Sequence, residues 1–200
     1  MSYFIIYSTI NIESKFKFQK LMRILVNTIY KSKLIFNKRV YECQVGKNGI
    51  LPQYKKIEGD KSTPMGKWKI LTIFIRRDKK LKLKLNKYIK NKIVFIKKNF
   101  IWCDDIKSFY YNKFLKVNDL SNLNFSYEKL FRDDEVYDII LELNQNQRPC
   151  IKNKGSAIFI HCSFNDLRPT FGCVALKKNI LKLLINNLQK QNYIYIRWLY

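Results

Sequence analysis

One histidine occurs among 200 residues, and only 15 acidic side chains stand against 39 Lys and Arg. The five cysteines (Cys43, Cys103, Cys150, Cys162 and Cys173) show no paired C-x-x-C spacing, which excludes the usual cysteine-rich metal frameworks. Their odd number leaves at least one thiol free unless the chain pairs with another. No apolar run approaches the ~18 residues of a membrane span, so no transmembrane segment is expected. The apolar stretch SYFIIYSTINI near the start lacks a basic n-region and a small-residue cleavage site, so no secretory signal is read there. No RRM, KH or zinc-finger spacing accompanies the net charge of +24, so specific nucleic-acid binding is not expected. A face this basic attracts polyanions in general. Lys, Asn, Ile, Tyr and Phe are enriched together, as an AT-rich genome would give, so most of the charge reads as solvated surface.

What remains is a chain with 47% hydrophobic and 15% aromatic residues, long enough for one real core. Ile24 to Val26 begins a strand. Lys33 to Phe36 and Arg39 to Val45 flank Asn37-Lys38 as a two-residue hairpin. Glu58 to Gly66 is dense in turn residues and leads into a strand over Lys67 to Ile75. The alternation Leu81-Lys82-Leu83-Lys84-Leu85 predicts a half-exposed strand. Ser126 to Phe131 reads as one helical turn capped by Ser126, with Glu128 beside Arg132 and Asp133 as a structural ion pair. Val136 to Leu143 reads as a central strand and Tyr193 to Trp198 as a closing one. Beyond Cys173, the apolar set Leu176, Ile180, Leu183, Leu184 and Leu188 predicts an amphipathic helix.

The chemistry concentrates in His161 to Cys173, HCSFNDLRPTFGC. A thiolate is the nucleophilic form of cysteine, and it needs a nearby base or positive charge. Imidazole, with an ordinary pKa near 6.5, takes and returns a proton near neutrality. Ser156 to Ile160 is an apolar strand that brings the imidazole to its end. Gly172 lets a substrate backbone approach, and the amides of Gly172 and Cys173 are placed to face an oxyanion. The plainer alternative is a buried histidine and a buried structural cysteine.

These residues resemble the L,D-transpeptidase catalytic domain (YkuD) family, whose hallmark is a histidine at a strand end followed by Ser/Thr-x-Gly-Cys. Here that is His161 and Thr170-Phe171-Gly172-Cys173. The likeness extends to EGDKSTPMGKWKI, WCDD, YNK, SYEKLFRDDEVYDIILEL and GSAIFIH, and covers roughly residues 22 to 197. It implies a mainly β (α+β) fold: one domain of mostly antiparallel sheet over 22–200, with a helix packed after the cysteine. Residues 1–21 then form an extension of unknown role.

The resemblance further implies that Cys173 forms a thioester while His161 manages its proton and Gly172 helps hold the oxyanion. The donor would be the tetrapeptide stem of peptidoglycan and the acceptor a side-chain amine of another stem, with no metal and no cofactor. It implies action in the cell envelope (periplasm), in cell-wall biogenesis. Thr170, Arg168, Trp102 and Asp104 are the candidate substrate-binding residues. Two positions depart from many relatives: Phe171 replaces a second histidine before Gly-Cys, and Ala175 replaces an arginine two places after the cysteine. Arg168 is the candidate replacement for that arginine as a carboxylate anchor. A cysteine carboxypeptidase using the same dyad, or a non-catalytic basic wall- or nucleic-acid-binding protein, are the alternatives.

Overall fold

The computed structural model describes residues 22–28, 31–190 and 192–198, so the expectation for residues 1–21 lies outside the described part. In chain order the strands are β1 (Met22–Thr28), β2 (Lys31–Phe36), β3 (Arg39–Gln44), β4 (Ile50–Pro52) and β5 (Thr63–Ile75). After a short helix α1 (Lys87–Lys90) come β6 (Ile93–Phe95), β7 (Phe100–Cys103), β8 (Lys113–Lys116), β9 (Tyr127–Lys129) and β10 (Ile139–Leu143). The chain ends with β11 (Phe159–Cys162), β12 (Val174–Leu176), α2 (Lys178–Asn187) and β13 (Tyr193–Trp198).

The main sheet runs β10-β11-β12-β3-β2-β1-β13-β5, and β5 also pairs with β10, so the hydrogen-bonded strands close into a circuit. The length of β5 allows this: Gly66 to Lys69 pairs with β13, and Ile70 to Ile75 pairs with β10. Most pairings are antiparallel, while β1–β13 and β11–β12 within the circuit, and β4 and β6 alongside β5, are parallel. A smaller antiparallel sheet, β8-β7-β9, lies outside the circuit.

Alternation of side chains along the strands builds two cores. Ile73, Ile75, Ile139, Leu141, Ile160 and Val174 join the interior cluster. Their neighbours Phe74, Ile140 and Phe159 point the other way, onto Phe100, Trp102 and Leu130 under the small sheet. Edge-to-face rings tie the two sheets, Phe74 to Phe114 at 5.0 Å and Trp102 to Phe159 at 4.9 Å. Helix α2 buries Leu181, Leu184 and Ile185 at helical spacing, each worth about 1.5–3 kcal/mol of apolar transfer.

The hairpin forms where the sequence places it, with Asn37 and Lys38 both at positive φ (51° and 62°), the two-residue geometry that matches strand twist. Several expectations are corrected. Leu81 to Leu85 forms no strand; Leu81, Leu83 and Leu85 pack inward on the core, but a side chain, Asn186, takes the Lys84 N–H instead of a ladder. Ser126 to Phe131 is not a helical turn: Tyr127 to Lys129 is β9, because pairing with β7 takes its backbone groups. The strand after Val136 starts only at Ile139, since Val136 to Asp138 turns over the end of the sheet. Leu176 belongs to β12 and not to the helix. Three strand residues therefore separate Cys173 from α2, and the N-terminus of α2 does not stand directly behind the thiol.

Candidate active site

Parallel pairing of β11 with β12 sets Ile160 opposite Val174 and His161 opposite Ala175. Side chains two apart share a strand face, so Phe159 and His161 lie on the same face as Ala175 and the residue just ahead of the strand, Cys173. That face looks towards the small sheet. His161 stands within β11, not beyond the end of Ser156–Ile160, because Ser156 to Ile158 runs as irregular backbone and the strand begins at Phe159. Ala175, where many relatives have arginine, is fully buried against this pair of strands.

The sulfur of Cys173 is held by backbone. Sγ donates to the Ala157 carbonyl at 3.1 Å and accepts from Phe159 N–H at 3.4 Å. Ala157 sits at φ 51°, a left-handed conformation that costs a non-glycine residue about 1–2 kcal/mol. Asn112 fixes it there. The buried Asn112 Oδ1 accepts from Ala157 N–H (3.1 Å) and from Trp102 Nε1 (3.0 Å), and its Nδ2 donates to the carbonyls of Asn146 (2.8 Å) and Gln145 (3.3 Å). The motifs around Trp102, Asn112 and Ala157 thus converge on one carbonyl that touches the thiol.

A second set of bonds holds the nucleophile's own backbone. Thr63 Oγ1 (3.1 Å) and Thr170 Oγ1 (2.6 Å) both donate to the Cys173 carbonyl. Each hydroxyl also accepts an amide, Gly46 N–H at 2.8 Å and Gly172 N–H at 3.2 Å. Gly172 N–H is therefore engaged by Thr170, contrary to the expectation that it faces an oxyanion. The Cys173 N–H has no acceptor among the described residues and is the open donor of the pair. Gly172 adopts φ 138°, where a side chain is strained, and a Cβ there would meet Ser62 O at 3.2 Å.

Nδ1 of His161 lies 2.8 Å from the Cys162 carbonyl. A carbonyl only accepts, so Nδ1 carries the hydrogen and Nε2 keeps the lone pair. The ring packs edge-on to Tyr137 at 5.4 Å, and Tyr137 O–H donates to Glu128 Oε1 at 2.5 Å. Arg132 lies 3.8 Å from Glu128 and 5.1 Å above the Tyr137 ring, as the expected Glu128–Arg132 pairing requires. Burial pulls the His161 pKa down to about 4, outweighing its carbonyl hydrogen bond. Burial likewise pushes the Cys173 thiol up to about 12; Glu128 raises it further and Lys56 lowers it. The pair therefore rests as neutral thiol and neutral imidazole, and no hydrogen bond joins Sγ to the ring.

The remaining candidates separate. Thr170 is buried and serves the loop's backbone. Trp102 is 1% exposed, beneath Phe159, and so supports the wall without presenting a surface. Asp104 is partly buried near Glu128, with Oδ1 lacking a partner, while its neighbour Asp105 caps Lys107 N–H. Arg168 is exposed, stacked 3.8 Å over Phe164 and 3.9 Å from Asp166. Sequence reasoning missed Thr63, Asn112, Ala157 and Lys56. Thr63, Asn112 and Ala157 lie in EGDKSTPMGKWKI, YNK and GSAIFIH, segments that carry the resemblance, but nothing in those segments points to their roles; Lys56 had no signal. Among the described residues no group of His, Cys, Asp and Glu is arranged to hold a metal ion.

The sequence model of the L,D-transpeptidase catalytic domain family (YkuD) matches residues 22–196. A similar solved structure is that of Mycobacterium tuberculosis L,D-transpeptidase 1, at 8% identity and a TM-score of 0.36. The alignment covers 88% of this chain and 62% of that one, so this chain spans less than two thirds of that protein's length. No curated protein matches.

Proposed function

The chain belongs to the L,D-transpeptidase catalytic domain family, and from that premise we propose that it cross-links peptidoglycan stem peptides through a Cys173 thioester. The supporting observation is the shared face of β11 and β12, which carries Cys173 and an imidazole whose Nε2 is free to take a proton.

Because the resting pair is neutral, the proton leaves as the bond forms. Sγ attacks the carbonyl of the stem's third residue, its proton passes to His161 Nε2, and the oxyanion takes the Cys173 N–H. Collapse breaks the C–N bond; Nε2 returns the proton to the departing D-alanine amine, leaving a thioester. An acceptor side-chain amine then attacks the thioester, gives a proton to Nε2, and Sγ leaves and takes that proton back. The chemistry calls for no cofactor. Residues 22–200 act as the catalytic domain, with residues 1–21 preceding it, and the cell envelope is the site of action. A net charge of +24 suits a polymer that carries carboxylates.

The test is intact-protein mass spectrometry with a tetrapeptide-stem muropeptide, wild type beside Cys173→Ala. The expected result is an acyl adduct on the wild type alone, D-alanine release and a cross-linked dimer. Tripeptide without dimer, with an amine acceptor in excess, would make the protein a carboxypeptidase. No adduct and no turnover from folded, reduced protein would reject both.

A further inference from the structure

Lys56 is a buried cation with no role in the mechanism above. Its side chain is 3% exposed, yet it precedes a surface loop rich in turn residues, where lysine normally reaches water. Three features of the fold keep it inside. Asp60 forms an ion pair with Nζ, and Asp60 is itself fixed by N–H groups of Ile57 (3.0 Å) and Ser62 (2.9 Å). The Ile57 carbonyl accepts a second N–H from Nζ at 3.1 Å. Gly155, at φ 86°, leaves room for the stem: a Cβ there would stand 2.9 Å from Lys56 Cε and 3.0 Å from Cγ.

An ammonium has three hydrogens, and these contacts use two. The third has no acceptor among the described residues. It lies beside the nucleophile loop, since Nζ stands 3.9 Å from where a Cβ on Gly172 would be. Ser62 O and Ile158 Cδ1 stand nearer to that point, at 3.2 and 3.4 Å, so Nζ lines the same small space beside the residue that precedes the nucleophile. Taking an ion pair out of water costs several kcal/mol that its mutual attraction returns only in part, so burying Lys56 with Asp60, one ammonium hydrogen still free beside the nucleophile loop, is an expensive arrangement for a purely structural purpose.

We propose that Lys56 is a positioning residue for charge: a fixed ammonium that stabilises the negative charge developing at Cys173 as its proton leaves. The inference rests on Cys173 being the nucleophile. Lys56 exchanges no proton and touches no substrate; it acts through the field it sets at the Gly172–Cys173 segment. With the N-terminus of α2 set off from the thiol by β12, this ammonium takes the place that a helix dipole holds in other thiol sites. The direction of its influence on the Cys173 thiol, downward, agrees.

The experiment reads thiolate formation directly, without any cell-wall substrate. Wild type, Lys56→Arg, Lys56→Met and the double variant Lys56→Met/Asp60→Asn are treated with iodoacetamide at pH 9, and the rate at Cys173 is followed by peptide mass spectrometry. The double variant removes both charges together, so no lone carboxylate is left buried, and circular dichroism establishes that it is folded. The expected result is alkylation of Cys173 slowed about threefold or more in both Met variants and largely restored in Lys56→Arg, with Cys150 unaffected. Equal rates in wild type and the folded double variant would overturn the proposal. A wild-type Cys173 that does not alkylate at all would remove the nucleophile reading and this inference with it. Failure of the muropeptide assay alone, with the rate difference intact, would touch only the substrate.

Discussion

Thr63 Oγ1 donates to the carbonyl oxygen of Cys173 at 3.1 Å, a bond between residues 110 positions apart. The same hydroxyl accepts Gly46 N–H at 2.8 Å, so one side chain ties the start of β5 and the turn after β3 to the backbone of the nucleophile. In the sequence, Glu58 to Gly66, which contains Thr63, reads as a turn leading into a strand. Its threonine reaches the site directly.

Thr63→Val keeps the volume and removes both bonds. It leaves a buried amide and half of the Cys173 carbonyl clamp unsatisfied, at a cost of about 1–3 kcal/mol. A lower Tm is expected, together with a fall of about tenfold or more in kcat for D-alanine release and little change in KM, because the nucleophile is displaced while the binding surface is not. Thr63→Ser should recover most of both. Turnover on a stem peptide beside a thermal melt checks this; an unchanged kcat in folded Thr63→Val would mean that Thr170 alone suffices.

Gly155 tests the link between a remote backbone and the site. Alanine there is strained at φ 86° and collides with the buried stem of Lys56, for about 1–3 kcal/mol in total. Gly155→Ala should therefore melt lower than wild type and also alkylate more slowly at Cys173, although no atom of Gly155 touches the sulfur. Alkylation at the wild-type rate would show that Lys56 stays in place despite the added methyl group.

Several parts were legible because they depend on local rules. The Asn37-Lys38 turn and the β13 strand follow from turn chemistry and alternation. Leu81 to Leu85 shows where alternation stops being enough: the leucines go inward, but a strand also needs a neighbour to pair with. The site was half legible. Cys173 and His161 stand out by chemistry and spacing, whereas Asn112 and Ala157 act through a side-chain amide and a left-handed backbone; both lie in the motifs YNK and GSAIFIH, but nothing local to either motif shows that the two meet at one carbonyl. Lys56 was hidden for another reason. Among 39 basic residues, one that turns inward looks like all the others.

Burial of His161 sets a pH dependence of stability with a definite sign. Its folded pKa, about 4, lies below the ordinary 6.5, so on acidification the unfolded chain takes up the proton first. Stability contributed by the neutral buried ring is present above pH 6.5 and is lost as pH falls from there towards 4. His161→Gln retains a donor for the Cys162 carbonyl but does not titrate, so the difference in urea midpoints between wild type and variant should shrink across that window. The same variant should release no D-alanine. A wild-type stability curve parallel to that of the variant from pH 7 to 4.5 would mean that the ring is not held neutral.

Glu128 supplies the opposite electrostatic test. Burial raises its own pKa, the Tyr137 hydroxyl holds it at 2.5 Å, and its charge raises the Cys173 thiol. Glu128→Gln is nearly isosteric and keeps an acceptor for Tyr137, so the Tyr137 ring should remain against His161. Arg132 retains Asp134 as an ion-pair partner. Removing the negative charge should speed alkylation of Cys173 at pH 9 by a few-fold, the reverse of Lys56→Met. The gain should vanish as pH falls through the raised Glu128 pKa, because protonation of the wild-type carboxyl removes the same charge that the substitution removes. Paired rates for the two variants from pH 5 to 9 check both signs. A slower Glu128→Gln with native melting would mean that the carboxyl acts through the orientation of Tyr137 and His161, and not through its charge.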